Sequence, residues 1–375
     1  VLYKEKFTKI IEKFPVFSKE DAESLGEFLN KRLSSGAGLE VFGRFVNSEI
    51  HPSKQLLKYT KQMLDNQRVF TLIDDQIAAY NNIMHKVKSL AKTGSKHVVI
   101  VEGGPGTGKS LIALQVMAEI MKMGKNVFHA TGSSAFTNTL RNLLGTRLRS
   151  RFKFFFNFTQ CKENEIPVLI CDEAHRIRRD SNNYGVPAAF KSKEPQVNDL
   201  IRPARLTIFF IDQFQVVRPY ETGSVETIKK AAKKFGAEVA MFELKTQFRC
   251  SGSDAFLQWV DNTLGLRESE NQLFRLTDRM EFKIFDDPMK MQKAIYDKNK
   301  EKKNCARIAA GFCWKWSNPN EDGTLVDDVV VGSLSMPWER KNRFWQWATY
   351  DEGMAQVGTV YTAQGFEFDY IGVIW

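Results

Sequence analysis

Residues 98–110 read VVIVEGGPGTGKS, a short apolar run that passes into a glycine-rich turn. The turn, residues 103–110, matches the pattern G-x-x-x-x-G-K-[ST] at every fixed position. The run SLIALQVMAEIMK follows at once, and its apolar periodicity predicts a helix. A strand, a glycine-rich turn and a helix in this order are typical of a loop whose backbone N–H groups surround phosphate oxygens.

This loop predicts a site for ATP with Mg²⁺. We expect Lys109 to reach the β- and γ-phosphates and the Ser110 hydroxyl to bind Mg²⁺. The residues expected around the nucleotide are Gly104, Pro105, Gly106, Thr107, Gly108, Lys109 and Ser110. A glycine-rich turn without a ligand is the weaker interpretation, because the flanking strand and helix are both in place.

Two more apolar runs end in acidic residues. Residues 168–171 precede Asp172 and Glu173 in the sequence D-E-A-H. Asp172 is expected to hold Mg²⁺ beside the loop, and Glu173 to polarise the attacking water. Residues 207–211 precede Asp212, and Gln215 follows three positions later. Gln215 is a candidate sensor of the γ-phosphate, although an ordinary polar strand end explains it equally well.

Short apolar runs alternate with helical patterns from residue 98 onward, which predicts a parallel, doubly wound α/β sheet. The predicted strands are 98–102, 126–130, 168–171, 207–211 and 239–243, and the predicted helices are 109–123, 133–144, 224–235 and 253–264. A second set of strands is expected near 282–285, 305–312, 328–332, 357–361 and 370–374.

The composition favours a globular protein that binds a polyanion. Lys and Arg outnumber Asp and Glu by 54 to 44, a formal net charge of +10. No apolar run approaches the roughly 18 residues that cross a bilayer. Five scattered cysteines without a C-x-x-C pair indicate reduced thiols and a cytoplasmic location. The chain begins at Val1, so we expect it to be a fragment.

Taken together, the motifs resemble those of superfamily 1 helicases. The order of LIDDQ at 72–76, the phosphate loop, DEAH, D-x-x-Q, LKTQFRC at 244–250 and GTVYTAQGFEF at 358–368 carries this resemblance. The stretches VEGGPGTGKS, QFRCSGSDAF, RIAAGFCW, DGTLVDDVV and VYTAQGFEFDYIGVIW resemble one subgroup more closely, the Schlafen group-three-like DNA/RNA helicase family. The resemblance spans about residues 45–375.

The resemblance implies a P-loop NTPase with two RecA-like lobes around one ATP. The expected parts are a helical N-terminal segment (1–65), a first lobe (66–270) and a second lobe (271–375) that lacks the family's last arginine motif. It also implies further nucleotide contacts: Gln76 at the adenine, Arg249 at the γ-phosphate, and Gln364 and Glu367 in the motif that couples ATP to nucleic acid.

The resemblance further implies contacts with nucleic acid from Thr131, Ser133, Ser134 and Thr362. The expected activity is ATP-dependent unwinding of, or translocation on, single-stranded or tailed nucleic acid, with DNA favoured over RNA. We also expect a role in bacterial antiphage defence and an associated nuclease domain or subunit. No membrane partner is expected. The alternative is a nucleotide-gated switch that controls a nuclease without processive unwinding. Trp338 and Trp345 are candidate base-stacking residues, with core packing as the competing interpretation.

Overall fold

The computed structural model divides the chain into two compact units, residues 1–51 and residues 52–375. In the first unit, helix α1 spans Ala22–Leu33. The described residues are 17, 21–33, 60, 62–64, 71–90, 94–216, 218–245, 254–266, 281–364 and 366–375. The predicted division of residues 52–375 into two lobes near residue 270 stays a prediction.

A parallel sheet dominates the second unit. Its strands are β1 His97–Gly103, β2 Val127–Thr131, β3 Phe152–Phe154, β4 Ile166–Asp172, β5 Ala204–Ile211 and β6 Glu238–Leu244. Their order is β3-β2-β4-β5-β1-β6, and every neighbouring pair is parallel. The C-terminal ends of β1, β4 and β5 therefore meet at one edge of the sheet.

Helices cover both faces of this sheet. They are α2 Asp74–Ser89, α3 Lys109–Lys122, α4 Ser134–Leu143, α5 Gly145–Arg149, α6 Gln196–Ile201 and α7 Val225–Lys234. Successive side chains of a strand point to opposite faces. Accordingly, Val99 and Val101 enter the core layer of α2 and α3, while Val98 and Ile100 enter the layer that contains Ile228 of α7. The predicted doubly wound α/β fold is confirmed.

A smaller parallel sheet follows along the chain. Its strands are β7 Ala306–Ala310, β10 Val357–Thr359 and β11 Tyr370–Ile374, in the order β10-β7-β11. Strands β8 Val329–Val331 and β9 Leu334–Met336 form an antiparallel pair beside it. Helices α9 Pro288–Glu301 and α10 Val360–Ala363 contact this sheet, and helix α8 Asp254–Thr263 precedes it along the chain.

One strand prediction is wrong, and a neighbouring helix was missed. Residues 282–285 form no strand, and Phe282 packs edge-on against Trp259 with ring centroids 5.0 Å apart. Alternating apolar residues specify a strand only where a partner strand receives the backbone hydrogen bonds, and none pairs with them among the described residues. Helix α9 begins just beyond, where Asp287 caps its N-terminus and Pro288 occupies its first turn.

Candidate functional site

The phosphate loop lies between the end of β1 and the start of α3. Gly106 and Gly108 have φ angles of 79° and 86°, which side-chain-bearing residues rarely adopt. These two positions turn the chain so that α3 begins at Lys109. Thr107 closes the turn, because its hydroxyl donates to the carbonyl of Gly104 at 3.0 Å. The loop residues predicted from sequence are therefore brought together in one tight turn.

Lys109 points back over this turn. Its ammonium donates to the carbonyls of Gly103 and Gly104, both at 2.6 Å. The Nζ atom is also 3.9 Å from Oδ2 of Asp212, which is buried at the end of β5. Because β5 is the direct neighbour of β1, this carboxylate faces the loop. Sequence reasoning located Asp212 at a strand end but missed its ion pair with Lys109, which only the strand order reveals.

Asp172 ends β4 with its carboxylate fully buried. Its Oδ2 atom is 3.5 Å from Nε2 of His129, and its Oδ1 atom accepts from the backbone N–H of Glu173 at 3.0 Å. Burial acts to raise the pKa of Asp172, but interactions with His129 and the Ser110 hydroxyl outweigh it and hold the pKa below its ordinary value. The carboxylate is therefore ionised at neutral pH.

The pairing of Ser110 with Asp172 fits a hard divalent cation. Hydroxyl and carboxylate oxygens are the donors that Mg²⁺ prefers. Asp172 Oδ2 is buried, and no hydrogen bond of good geometry reaches it within the part of the chain that the structure describes. His129 was not identified from the sequence. It comes close only because β2 and β4 are adjacent, with Thr131 opposite Asp172 in register.

Glu173 follows in a left-handed backbone conformation, with φ 55° and ψ 46°. A non-glycine residue there stores strain of roughly 1–3 kcal/mol, and such strain concentrates at functional sites. Its Oε2 atom is 3.1 Å from Nε2 of the fully buried His175. Burial lowers the pKa of His175, and Glu173 only partly counteracts this effect. A neutral imidazole thus stands beside the carboxylate.

Gln215 lies on the turn that follows β5. Its backbone N–H donates to the carbonyl of Asp212 at 3.2 Å, and its side chain is half-buried. Its neighbour Gln213 is committed elsewhere, because its side-chain NH₂ donates to the Glu102 carboxylate and its carbonyl oxygen accepts from Val225 N at 3.4 Å. The structure thus places Gln215 near the site through its backbone, and its sensing role stays a prediction.

Gln76 is seated directly against the phosphate loop. Its Nε2 atom donates to the carbonyl of Thr107 at 2.9 Å, and its Oε1 atom accepts from Ile73 N at 3.3 Å. The side chain is buried, and a Cβ atom added at Gly108 would lie 2.4 Å from Nε2. The structure therefore brings Gln76 to the loop backbone. Its predicted contact with adenine stays a prediction.

Arg249 lies outside the described residues, so its γ-phosphate contact stays a prediction as well. Gln364 and Glu367 lie on the segment that follows α10, and both are half-buried. The Oε1 atom of Gln364 is buried without a hydrogen-bond partner among the described residues. The coupling role of Gln364 and Glu367 stays a prediction.

A cavity of about 180 Å³ lies between loops that follow strands of the larger sheet and residues around the smaller sheet. From the larger sheet it is lined by Arg176, Arg178 and Arg218, and from the smaller part by Trp316, Phe344 and Tyr361, among others. Arg176 is 5% exposed, and its Nε atom has no hydrogen-bond partner among the described residues. Guanidinium groups beside aromatic rings suit the phosphates and bases of nucleic acid.

The four predicted nucleic-acid residues differ in their surroundings. Ser134 is exposed and lines this cavity, and Thr362 lines it from the other side although it is only 3% exposed. Thr131 and Ser133 are 1% exposed, and their hydroxyl oxygens accept from Ser133 N and Phe136 N as part of the α4 cap. Ser134 is therefore the exposed one of the four, and contact of these residues with nucleic acid stays a prediction.

The tryptophans mostly build the core of the smaller part. Trp338 is 1% exposed, and its Nε1 atom donates to the carbonyl of Lys315 at 2.8 Å. Trp345 is half-buried, and its carbonyl accepts from the Thr139 hydroxyl at 3.4 Å. Core packing is thus the role that the structure supports for Trp338. Trp316, which was not singled out from the sequence, is the tryptophan that lines the cavity.

A family model covers most of the chain, and one relative of known sequence is similar to it. The family model "Schlafen group 3, DNA/RNA helicase domain" matches residues 96–375. Protein YPL245W of Saccharomyces cerevisiae is 25% identical over 336 residues, which cover 78% of this chain and 71% of that protein.

Solved structures with similar folds include the Pif1 helicase from Candida albicans, at 17% identity and a TM-score of 0.34. That match covers 62% of this chain and 55% of the Pif1 chain. AMPPCP-bound DnaA from Aquifex aeolicus is another, at 15% identity and a TM-score of 0.26, with 55% and 56% of the two chains covered. This chain therefore spans little more than half of either solved chain.

Two kinds of feature are absent from the described residues. No helix among them has the length and apolar character that crossing a membrane requires. No group of three or more His, Cys, Asp or Glu side chains among them forms a metal site by itself.

Proposed function

Because the chain belongs to the Schlafen group 3 DNA/RNA helicase domain family, we propose that it is an ATP-dependent nucleic-acid helicase or translocase. One observation supports this proposal most strongly. At a single edge of the sheet lie the side chains of Lys109, Asp172, Glu173 and Asp212. These groups stand at the ends of β1, β4 and β5, where a nucleotide bound by the loop would present its γ-phosphate.

Each of these side chains has a separate role in the proposed reaction. Lys109 leaves the carbonyls of its own loop and binds the β- and γ-phosphate oxygens. Ser110 and Asp172 would hold Mg²⁺, which when bound neutralises charge on the phosphates. Asp212 keeps the Lys109 ammonium directed at this edge of the sheet.

Glu173 orients the attacking water and accepts its proton, with His175 restricting the position of the carboxylate. Attack of this water on the γ-phosphorus breaks the bond to the β-phosphate oxygen and releases ADP and phosphate. We assign the remaining nucleotide contacts to Gln76 at the base, and to Arg249 and Gln215 at the γ-phosphate.

We place the nucleic acid at the cavity between the two sheets. The arginines of its wall supply positive charge for phosphates, and Ser134 supplies an exposed hydroxyl, with Thr362 on the opposite side. Gln364 and Glu367 then connect this cavity with the nucleotide. DNA as the preferred strand, cytoplasmic location, a nuclease partner and an antiphage role stay expectations from the sequence resemblance.

The test is an ATPase and unwinding assay with the full-length protein, single-stranded DNA or RNA, and a tailed duplex. We expect ATP turnover to rise on addition of a single strand, and the tailed duplex to separate only with ATP and Mg²⁺. Glu173→Gln is the control that retains ATP binding and lacks turnover. Stimulated turnover without strand separation would identify the nucleotide-gated switch instead, and the absence of both would refute the proposal.

A further inference from the structure

Glu339 is a fully buried carboxylate in the smaller part of the second unit. It accepts three hydrogen bonds, from Thr359 N at 3.0 Å, the Thr359 hydroxyl at 3.0 Å and the Thr362 hydroxyl at 2.5 Å. Among the described residues, no lysine or arginine forms an ion pair with it. The donors that reach the carboxylate from elsewhere in the described chain, Thr359 and Thr362, therefore belong to the segment that begins the late motif.

The main chain of Glu339 is also fixed in place. Its backbone N–H donates to the carbonyl of Val357 at 3.0 Å, and its carbonyl accepts from Nε1 of Trp316 at 3.0 Å. A buried carboxylate without a cationic partner destabilises a fold relative to an apolar residue of similar size. Packing alone therefore gives no reason for an acidic side chain at this position.

The segment that Glu339 binds is too short to hold its own shape. Helix α10 has four residues, and isolated helices of that length are unstable in water. Thr359 caps this helix, because its hydroxyl oxygen accepts from Thr362 N at 3.3 Å, and the two hydroxyls are 3.0 Å apart. The carboxylate thus fixes both ends of a single turn.

This turn carries Tyr361, which contacts the larger sheet in two ways. The carbonyl of Tyr361 accepts from Nη2 of Arg176 at 3.4 Å. The Arg218 guanidinium lies 4.0 Å from the centre of the Tyr361 ring, a cation–π geometry. Arg176 follows Glu173 along the chain, and Arg218 follows Asp212, so both arginines continue from strand ends of the nucleotide site.

We infer that Glu339 is a positioning residue that sets the turn of residues 359–362, and through Tyr361 couples the cavity to the strand ends that carry Glu173 and Asp212. The inference deepens the proposed function and rests on it. Glu339 touches neither nucleotide nor nucleic acid in this scheme. It acts by holding Tyr361 where the two arginines of the cavity wall meet it.

The experiment compares basal and single-strand-stimulated ATP turnover in the full-length protein. We expect Glu339→Ala to lower the stimulated rate at least about tenfold and to leave the basal rate and the KM for ATP within about twofold. Glu339→Gln keeps the size of the side chain. Its amide oxygen can still accept from Thr359 N, and its NH₂ group can donate to the two threonine hydroxyls once their protons rotate away, so we expect it to retain at least half of the stimulation. Asp199→Asn is the control for loss of a fully buried carboxylate outside this contact, on α6, where Asp199 pairs with Arg202 at 3.0 Å.

A double-mutant cycle separates positioning from general damage. If Glu339 acts through Tyr361, Glu339→Ala adds no further loss in a Tyr361→Ala background. Three results would each overturn the inference. They are additive losses in the double mutant, an equal loss of stimulation in Asp199→Asn, and wild-type stimulation in Glu339→Ala. Thr359→Val repeats the test if Glu339→Ala does not fold, and wild-type stimulation there would overturn it too. A wild-type protein that no single strand stimulates would instead refute the proposed function.

Discussion

Substitution of Gly108 tests whether Gln76 is seated against the phosphate loop as described. Gly108→Ala adds a Cβ atom at a φ of 86°, at 2.4 Å from Nε2 of Gln76. The matched control is Gly124→Ala, because Gly124 has a φ of 69° and nothing within 4 Å of the added atom. Both substitutions force alanine into the left-handed region, but only the first displaces a neighbour.

The left-handed conformation costs an alanine roughly 1–2 kcal/mol, and this term is common to both variants. Displacing Gln76 also removes its hydrogen bonds with Thr107 and Ile73, at roughly 1 kcal/mol each. We therefore expect Gly108→Ala to lower the free energy of unfolding by roughly 3–4 kcal/mol, about 2 kcal/mol more than Gly124→Ala.

The assay is urea unfolding followed by circular dichroism, with ATP affinity measured by calorimetry on the same preparations. In a Gln76→Ala background the clash is absent. Gly108→Ala should therefore lower the free energy of unfolding no more than Gly124→Ala does in the same background. We also expect Gly108→Ala, unlike Gly124→Ala, to weaken ATP binding, because the loop turn itself is distorted. Equal destabilisation by the two glycine variants in the wild-type background would refute the seating of Gln76.

Four further predictions concern single side chains. Lys109→Ala should weaken ATP binding about a hundredfold, near 2.7 kcal/mol, and unchanged affinity by calorimetry would contradict its role. Glu173→Gln should bind ATP and lower turnover at least about a hundredfold; turnover within about threefold of wild type would exclude it as the base. Arg249→Ala should spare ATP binding and reduce stimulated turnover at least about a hundredfold, whereas a wild-type rate would end the assignment. Burial raises the pKa of Glu339 from 4.5 to about 7, despite hydrogen bonds from neutral threonines. Between these two pH values the folded protein retains a proton on Glu339 that the unfolded chain has released. The free energy of unfolding should therefore fall by at most roughly 3 kcal/mol as the pH rises from about 4.5 to about 7. Parallel pH–stability curves for wild type and Glu339→Gln would contradict this.

The sequence predicted the larger sheet well because local and global signals agree there. Residues 97–103 and 109–122 carry an apolar run, a complete loop motif and a helical period in direct succession. Each predicts its own element, and together they fix a parallel crossover. Asp172 and Glu173 could be placed for the same reason, since a buried run ends immediately before them.

The parts that sequence reasoning missed depend on neighbours that are distant along the chain. His129 reaches Asp172 only through the β2–β4 register, and Asp212 reaches Lys109 only because β5 lies beside β1. Glu339 meets its threonines across a gap of about twenty residues that no motif spans. The error at residues 282–285 has the same origin, because an alternating pattern does not reveal whether a partner strand exists.

In the proposed function, phosphate binding by Lys109 is an exchange reaction, because the ammonium already donates two hydrogen bonds to its own loop. A γ-phosphate oxygen must replace the carbonyls of Gly103 and Gly104, so the measured affinity reports a difference between two well-satisfied arrangements. The same contacts keep a buried ammonium from becoming an isolated charge, which is otherwise among the most destabilising features of a protein interior. In the proposed reaction these two carbonyls are available to accept the Lys109 ammonium again when phosphate leaves.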